Sequence, residues 1–232
     1  MKVIQTQMIC GMPHLLSNFD LNLNHMSKVL GDIHWHYMYD RPSDATEHGS
    51  RIYQSFLRLD FNIVDTFKED DVLNIATTGG YIDDAIFKTE HVFGKNKITL
   101  YSIGIIISNG SIIKSNQSSR RDKAFWTNHR TVKRVRYEGK QISFPTYPSI
   151  DFNCAGILYC ANYVKFVYQY ADMIRNNVDI KAMYFFGNIQ PYDQITVIHD
   201  NHLHITSNGR LIATCICNFK RKHQDDNLEI LV

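Results

Sequence analysis

The chain of 232 residues lacks the features that mark non-globular proteins. Pro is scarce at 5 and Gly at 12, which excludes collagen-like and low-complexity architectures. No apolar run approaches the ~20 residues of a membrane helix, and the longest is the short stretch around Ile103 to Ile107. The opening segment, MKVIQTQMICGMPH, has one Lys and no apolar centre, so neither a signal peptide nor a membrane span is expected. Cysteines are few and odd in number, 5 in all at positions 10, 154, 160, 215 and 217. They lack the even, patterned spacing of a disulfide framework, so reduced thiols in a cytoplasmic protein are the expectation. No sign of charge dominates, because 25 Lys and Arg against 23 Asp and Glu leave +2.

What is present is an ordinary globular composition, 44% apolar and 21% charged, long enough for one large domain or two small ones. The near-neutral total hides a local imbalance. Arg120, Arg121, Lys123, Arg130, Lys133, Arg134, Arg136 and Lys140 face only Asp122 and Glu138, a local +6 that leaves −4 for the rest of a +2 chain. This stretch fits either a solvated linker or strand face, or a landing site for an anionic partner such as nucleotide phosphates or an acidic carrier protein. Nucleic acid is disfavoured, since the remainder is acidic and no recognition motif accompanies the stretch.

The chain also resembles itself. Ser108-Asn109-Gly110 recurs as Ser207-Asn208-Gly209, each between alternating or Ile-rich segments, and Asn-Gly is the signature of a type I′ hairpin turn. Upstream, Phe67-Lys68-Glu69-Asp70-Asp71-Val72 matches Ile189-Gln190-Pro191-Tyr192-Asp193-Gln194 as an acidic turn leading into a strand. Further upstream lie two helical segments, Leu21 to Tyr37 and Ala155 to Ile174, the second after Asp151 and Asn153 as caps. Each half reads helix, strand, acidic turn, strand, hairpin. That is the order of the hot-dog fold, a long helix wrapped by a curled antiparallel sheet, so the expected class is α+β with two tandem repeats, a double hot dog. The expected repeats are 1–125 and 126–232, joined through the basic stretch that ends at Phe144-Pro145-Thr146-Tyr147-Pro148. Asp71 to Asn109 spans 38 positions and Asp193 to Asn208 spans 15, which predicts a 23-residue insertion within Thr77 to Lys97.

Several constellations carry little chemistry. Asp32, His34 and His36, like His199, His202 and His204, lack a completing ligand for tetrahedral zinc. Cys215 and Cys217 share a strand face, where burial is the plain reading. His14 follows Pro13 as in hot-dog dehydratases, but the Pro-Gly found after that His is missing. Asp151-Phe152-Asn153 begins like the motif of hot-dog thioesterases, but the following His-Val is absent. Tyr53, in Arg51-Ile52-Tyr53-Gln54-Ser55-Phe56, lies on an alternating strand where such a sheet faces an acyl pocket.

GMPHL (Gly11 to Leu15), LGDIHW (Leu30 to Trp35), RIYQSF (Arg51 to Phe56), DFNCAGILY (Asp151 to Tyr159), YFFGNIQPYD (Tyr184 to Asp193) and SNGRLIA (Ser207 to Ala213) together resemble the LnmK family of double hot-dog acyltransferase/decarboxylases of polyketide biosynthesis. The resemblance implies conversion of methylmalonyl-CoA, or malonyl-CoA, to a propionyl or acetyl group delivered to an acyl carrier protein. It also implies an essential tyrosine at Tyr53, by way of an O-acyl intermediate. The chain departs from the pattern at Cys154, where the family has Gly, and a side chain there would narrow the pocket.

This chemistry needs no cofactor beyond the CoA thioester itself. Loss of CO2 places an enolate on the thioester oxygen, so the site needs donors aimed there and a dry home for the carboxylate. Backbone N–H groups near Gly156 and the amide of Asn153 are the expected donors. Tyr53 would donate a proton, with His14 or Asp32 as the base for a tyrosine nucleophile. Asp32, Cys154, Arg130 and Arg134 are the expected substrate-binding residues. A homodimer is an admitted assembly. The rivals are a thioesterase, a dehydratase, and a non-catalytic double hot dog that binds a carrier protein.

Overall fold

The computed structural model describes residues 3–16, 20–39, 51–83, 86–108, 111–114, 122–133, 139–152 and 156–221, with side chains described throughout except at 38–39, 51–54, 106–108, 111–114 and 221. In chain order the elements are β1 (Val3–Ile9), a 3-10 turn (Met12–His14), α1 (Leu23–Tyr39), β2 (Arg51–Asn62), β3 (Val72–Tyr81), β4 (Ile86–Phe93), β5 (Asn96–Ser108), β6 (Ser111–Lys114), α2 (Lys123–Lys133), β7 (Lys140–Phe144), α3 (Pro148–Asp151), α4 (Cys160–Met173), β8 (Asn176–Phe185), β9 (Ile195–His199), β10 (Leu203–Ser207) and β11 (Arg210–Arg221). All the strands belong to one antiparallel sheet in the order β1-β3-β4-β5-β2-β8-β11-β10-β9-β7, with β6 paired to β5. No helix among the described residues is long and apolar enough to cross a membrane.

The order reads the same from either edge once β1 is set against β7, β3 against β9, β4 against β10, β5 against β11 and β2 against β8. The long helix falls at the same place in both halves, between the first and second strands of each. The local chemistry repeats as well. The backbone turns at Asp70 (φ 69°) and at Tyr192 (φ 73°), and in each case the next residue is an aspartate whose Oδ2 accepts a backbone N–H three residues back. These are Lys68 to Asp71 at 2.7 Å and Gln190 to Asp193 at 3.1 Å. Isolated bridges, Leu15 to Leu21 and Phe152 to Leu158, precede the two long helices at matching distances.

The core forms where α1 and α4 lie against the sheet. From α4 alone, Phe166, Val167 and Tyr170 are at most 1% exposed, each worth ~1.5–3 kcal/mol of burial. The two helices are tied to each other by side chains of the second half: Tyr168 Oη accepts the Leu23 N–H at 3.1 Å, and Tyr159 Oη donates to the Lys28 carbonyl at 3.2 Å. On the opposite face α2 crosses the seam between halves. Its Phe125 ring lies 5.3 Å from Tyr101 on β5, and its His129 ring lies 6.0 Å from Tyr184 on β8. Beneath it Arg58 bonds Asp60 at 2.6 Å and lies over Tyr184 at 4.9 Å.

Four expectations are corrected here. The second helix begins at Cys160 rather than Ala155, because Asp151 caps a short Pro-initiated helix instead. Its Oδ2 accepts the Tyr147 N–H at 2.8 Å. The basic stretch, expected as a solvated linker or strand face, contains the amphipathic helix α2. The two Ser-Asn-Gly turns are also not equivalent. Asn208 (φ 50°) and Gly209 (φ 71°) make the expected positive-φ turn between β10 and β11, but its counterpart is the β4–β5 connection at Gly94. Residues 109–110 lie outside the described residues, between β5 and β6. Of the 23-position difference in spacing, longer strands, β3 with 10 residues and β4 with 8 against 5 each in β9 and β10, account for 8, and most of the rest arises because Asn109 follows the 13-residue β5 whereas Asn208 precedes β11. No inserted loop is needed.

Candidate functional site

Strand direction decides which expected residues can meet. Arg58 pairs with Tyr184 and Asp60 with Ala182, so the N-terminal part of β2 runs past the C-terminal end of β8. The same end of the sheet holds the C-terminus of β5, the β8–β9 loop, the β10–β11 turn and the segment from β7 into α4. Tyr53 is at this end, its backbone opposite Ile105. Its side chain is outside the described set, as are Asn153, Cys154 and Arg134.

The segment before α4 is held at this end by three anchors. Asn188 Oδ1 in the β8–β9 loop accepts the Leu158 N–H at 3.0 Å. Tyr159 reaches α1, where a Cβ on Gly31 would stand 2.6 Å from its hydroxyl oxygen. Asp151, 0% exposed, is ion-paired to Lys165 and capped by the Tyr147 N–H, while Asn162 Nδ2 donates to its carbonyl at 2.8 Å. Gly156 lies in this segment at φ 69°, exposed, four residues before the helix starts. Its N–H is therefore loop backbone rather than the first turn of α4.

Asp32 is on α1 close enough to Tyr159 and Cys160 to raise both their pKa values. Burial is the larger cause for each, and it takes the Cys160 thiol to about 12. Loss of solvent also raises the Asp32 carboxyl above its usual range. Structure thus joins Asp32 to the Gly156–Tyr159 segment, at the end of the sheet where β2 begins.

His14 is elsewhere. It follows β1, whose end at Ile9 pairs with Val72 at the start of β3, beyond the far end of the 12-residue β2. At ~3.3 Å per residue the two ends of that strand are too far apart for His14 to serve Tyr53. His14 is instead the first-half counterpart of Asp151. Its Nδ1 accepts the Gly11 N–H at 2.7 Å, as Asp151 accepts that of Tyr147, and its ring packs on His25 at 4.3 Å. Arg130 is exposed near the end of α2. The neighbouring Lys133 lies 5.8 Å over Phe186, so this basic surface borders the β8–β9 loop.

Sequence reasoning passed over Asn188, Tyr159 and Arg210, although all three lie within the quoted motifs. A polar Gly-Asn pair directly after a buried strand, in Phe185-Phe186-Gly187-Asn188, was the available signal. No group of three metal-binding side chains occurs among the described residues.

No family model and no curated protein matches the chain, but solved structures do. The chain is similar to an acyl-ACP thioesterase from Bacteroides thetaiotaomicron at 12% identity and TM-score 0.67, covering 94% of this chain and 98% of that one. It is similar to a putative oleoyl thioesterase from Lactobacillus plantarum at 9% identity and TM-score 0.66, covering 95% and 96%. It is also similar to a 12:0-ACP thioesterase from Umbellularia californica at 8% identity and TM-score 0.63, covering 95% and 98%. Together with the sheet order and the placement of α1 and α4, these likenesses show that the chain has the hot-dog fold.

Proposed function

We propose that the protein decarboxylates a methylmalonyl or malonyl thioester and passes the resulting acyl group to the thiol of an acyl carrier protein, without a cofactor. The observation that carries this reading is the state of Asp151. A hydrolase built on this loop would need that carboxylate to act on water, yet Asp151 is buried against Lys165 and the Tyr147 N–H. Among the described residues the loop itself offers backbone donors and no base, and the carboxyl beside it is that of Asp32 on α1, raised above its usual range by loss of solvent. That suits a reaction whose first step is loss of CO2. The carbon–carboxylate bond breaks, its electron pair becomes the thioester enolate, and hydrogen-bond donors stabilise that oxygen. Tyr53, at the start of β2, would protonate the enolate carbon. Its phenolate would then, as the resemblance implies, displace CoA as the thiolate to form a tyrosyl ester, which the carrier thiol cleaves, returning its proton to the phenolate. Arg130 and Lys133 would receive the acidic carrier protein beside the same end of the sheet.

The test is mass spectrometry of the purified protein with methylmalonyl-CoA and a holo carrier protein. Propionyl carrier is the expected product, and free methylmalonic or propionic acid as the sole product would replace this reading with hydrolysis. Tyr53→Phe should lower turnover at least a hundredfold with an unchanged melting temperature. Activity within twofold of wild type would remove Tyr53 from the mechanism.

A further inference from the structure

The two halves differ at one place in a way that suggests a ligand. In the first half, the corner formed by the β2–β3 loop and the β4–β5 turn is filled. Phe93 packs on Phe67 with ring centroids 6.1 Å apart. Asn96, 1% exposed, accepts the N–H groups of Val64 and Asp65 at 2.8 and 3.0 Å and donates to Asp65 Oδ2 at 2.9 Å. The pairs Phe93–Asn96 and Ser207–Arg210 flank corresponding turns, so the second half has Ser207 for Phe93, Arg210 for Asn96, Ile189 for Phe67 and Gly187 for Asp65. The second-half corner is open, a hollow of about 270 Å³ lined by Asn188, Gln190, Ser207, Asn208 and Arg210 among others.

Its chemistry is that of a site for an amide-bearing anion. Ser207 is 5% exposed, and its Oγ has no hydrogen-bond partner, an unfavourable state for a buried hydroxyl unless something supplies one. Arg210 is exposed and folded over Gly187, where a Cβ would stand 3.4 Å from Nη2. Asp193 also lines the hollow, with Oδ2 accepting the Gln190 N–H at 3.1 Å. Asn188, which holds Leu158 in place, forms the wall toward the candidate site.

We propose that this hollow binds the phosphopantetheine arm of the substrate, with Arg210 on the phosphate and Ser207, Asn188 and Asn208 on the amides. The assignment rests on the thioester reading above and adds the route by which the arm reaches the site. CoA and a holo carrier protein share this arm, so both sources fit.

The test is calorimetric binding of 4′-phosphopantetheine, pantetheine and CoA to wild type, Arg210→Gln and Ser207→Phe, the last restoring the residue of the first half. Arg210→Gln should weaken phosphopantetheine and CoA at least tenfold and leave pantetheine unchanged. Ser207→Phe should weaken all three, and Arg210→Gln keeps the test valid if that variant fails to fold. With methylmalonyl-CoA, Arg210→Gln should raise KM tenfold with kcat within twofold. With the N-acetylcysteamine thioester, which keeps only the cysteamine end of the arm and lacks the phosphate, it should change nothing. Holo carrier protein in place of CoA separates the two sources: a KM rise with one alone assigns the hollow to that one. Unchanged affinities in Arg210→Gln, or no binding of phosphopantetheine to wild type, would overturn the assignment. Decarboxylation of the N-acetylcysteamine thioester by wild type would leave the thioester reading standing in that case, and its absence would remove both.

Discussion

His34 and His91 are both 0% exposed, and their hydrogen bonds form a continuous chain through the first half. Ser102 Oγ and Thr89 Oγ1 lie 2.7 Å from the two nitrogens of His34, while Thr89 and Thr77 lie 3.0 and 2.9 Å from those of His91. Burial lowers both histidines to about 3, so each is neutral when folded and protonates near 6.5 when unfolded. The unfolded chain then binds more protons below pH 6.5, and stability falls as pH drops from there toward 3. Between pH 7 and pH 5 each ring should cost about 2 kcal/mol. Urea denaturation at the two pH values checks this, with His91→Gln expected to lose its share of the slope. Equal slopes in variant and wild type would mean that the native rings protonate freely. Asp151 makes the complementary residue-scale case. Removing one partner of a buried pair costs ~3–5 kcal/mol, less here because Lys165 keeps a quarter of its side chain exposed. Asp151→Asn should therefore lower the melting temperature while kcat of the folded protein stays within threefold. A hundredfold loss of kcat with intact stability would make Asp151 catalytic.

At the scale of elements, α2 shows what the sequence concealed. Its eleven residues bury Phe125 and His129, and His129 Nε2 meets the Phe185 carbonyl at 3.1 Å. The charge count across 120–140 does not reveal that apolar stripe, so the sequence suggests a solvated linker or strand face where the structure has a helix. The acidic turns were legible because a turn and its aspartate are local: four residues suffice to make Lys68–Asp71 and Gln190–Asp193. The start of α4 was not, because Asp151 suits an N-cap equally well and only its distant partner Lys165 reveals which turn it serves. The buried chain from Ser102 through His34 to Thr77 joins four elements and left no local trace. If the exposed end of α2 steers an acidic carrier, Arg130→Glu with Lys133→Glu should slow acyl transfer several-fold at low salt. The defect should shrink at physiological ionic strength, where the Debye length is about 8 Å. Rates matching wild type at every salt concentration would make this end of α2 a solvated face.

At the scale of the whole molecule, the two acidic turns and the presence of two long helices were readable as a repeated order of elements, but the order of strands in the sheet and the seam between the parts were not. Direct strand pairing across it is short, from Arg58 to Asp60 against Ala182 to Tyr184, so the helices must contribute. Gly31 matters there for reasons of space. It is buried, and a methyl group on it would stand 2.6 Å from Tyr159 Oη, which is itself held by the Lys28 carbonyl. Gly31→Ala gains ~0.8–1 kcal/mol of helix propensity but must displace that hydroxyl, an overpacking cost of ~1–3 kcal/mol. The substitution should therefore destabilise the wild-type protein. In a Tyr159→Phe background the hydroxyl is gone, the methyl fits, and the propensity gain should appear, so Gly31→Ala becomes neutral or stabilising. Chemical denaturation of the four proteins in this cycle measures the coupling directly. Additivity within ~0.3 kcal/mol would mean that the Tyr159 contact does not hold the halves together, leaving the seam to β2, β8 and the helix laid across them.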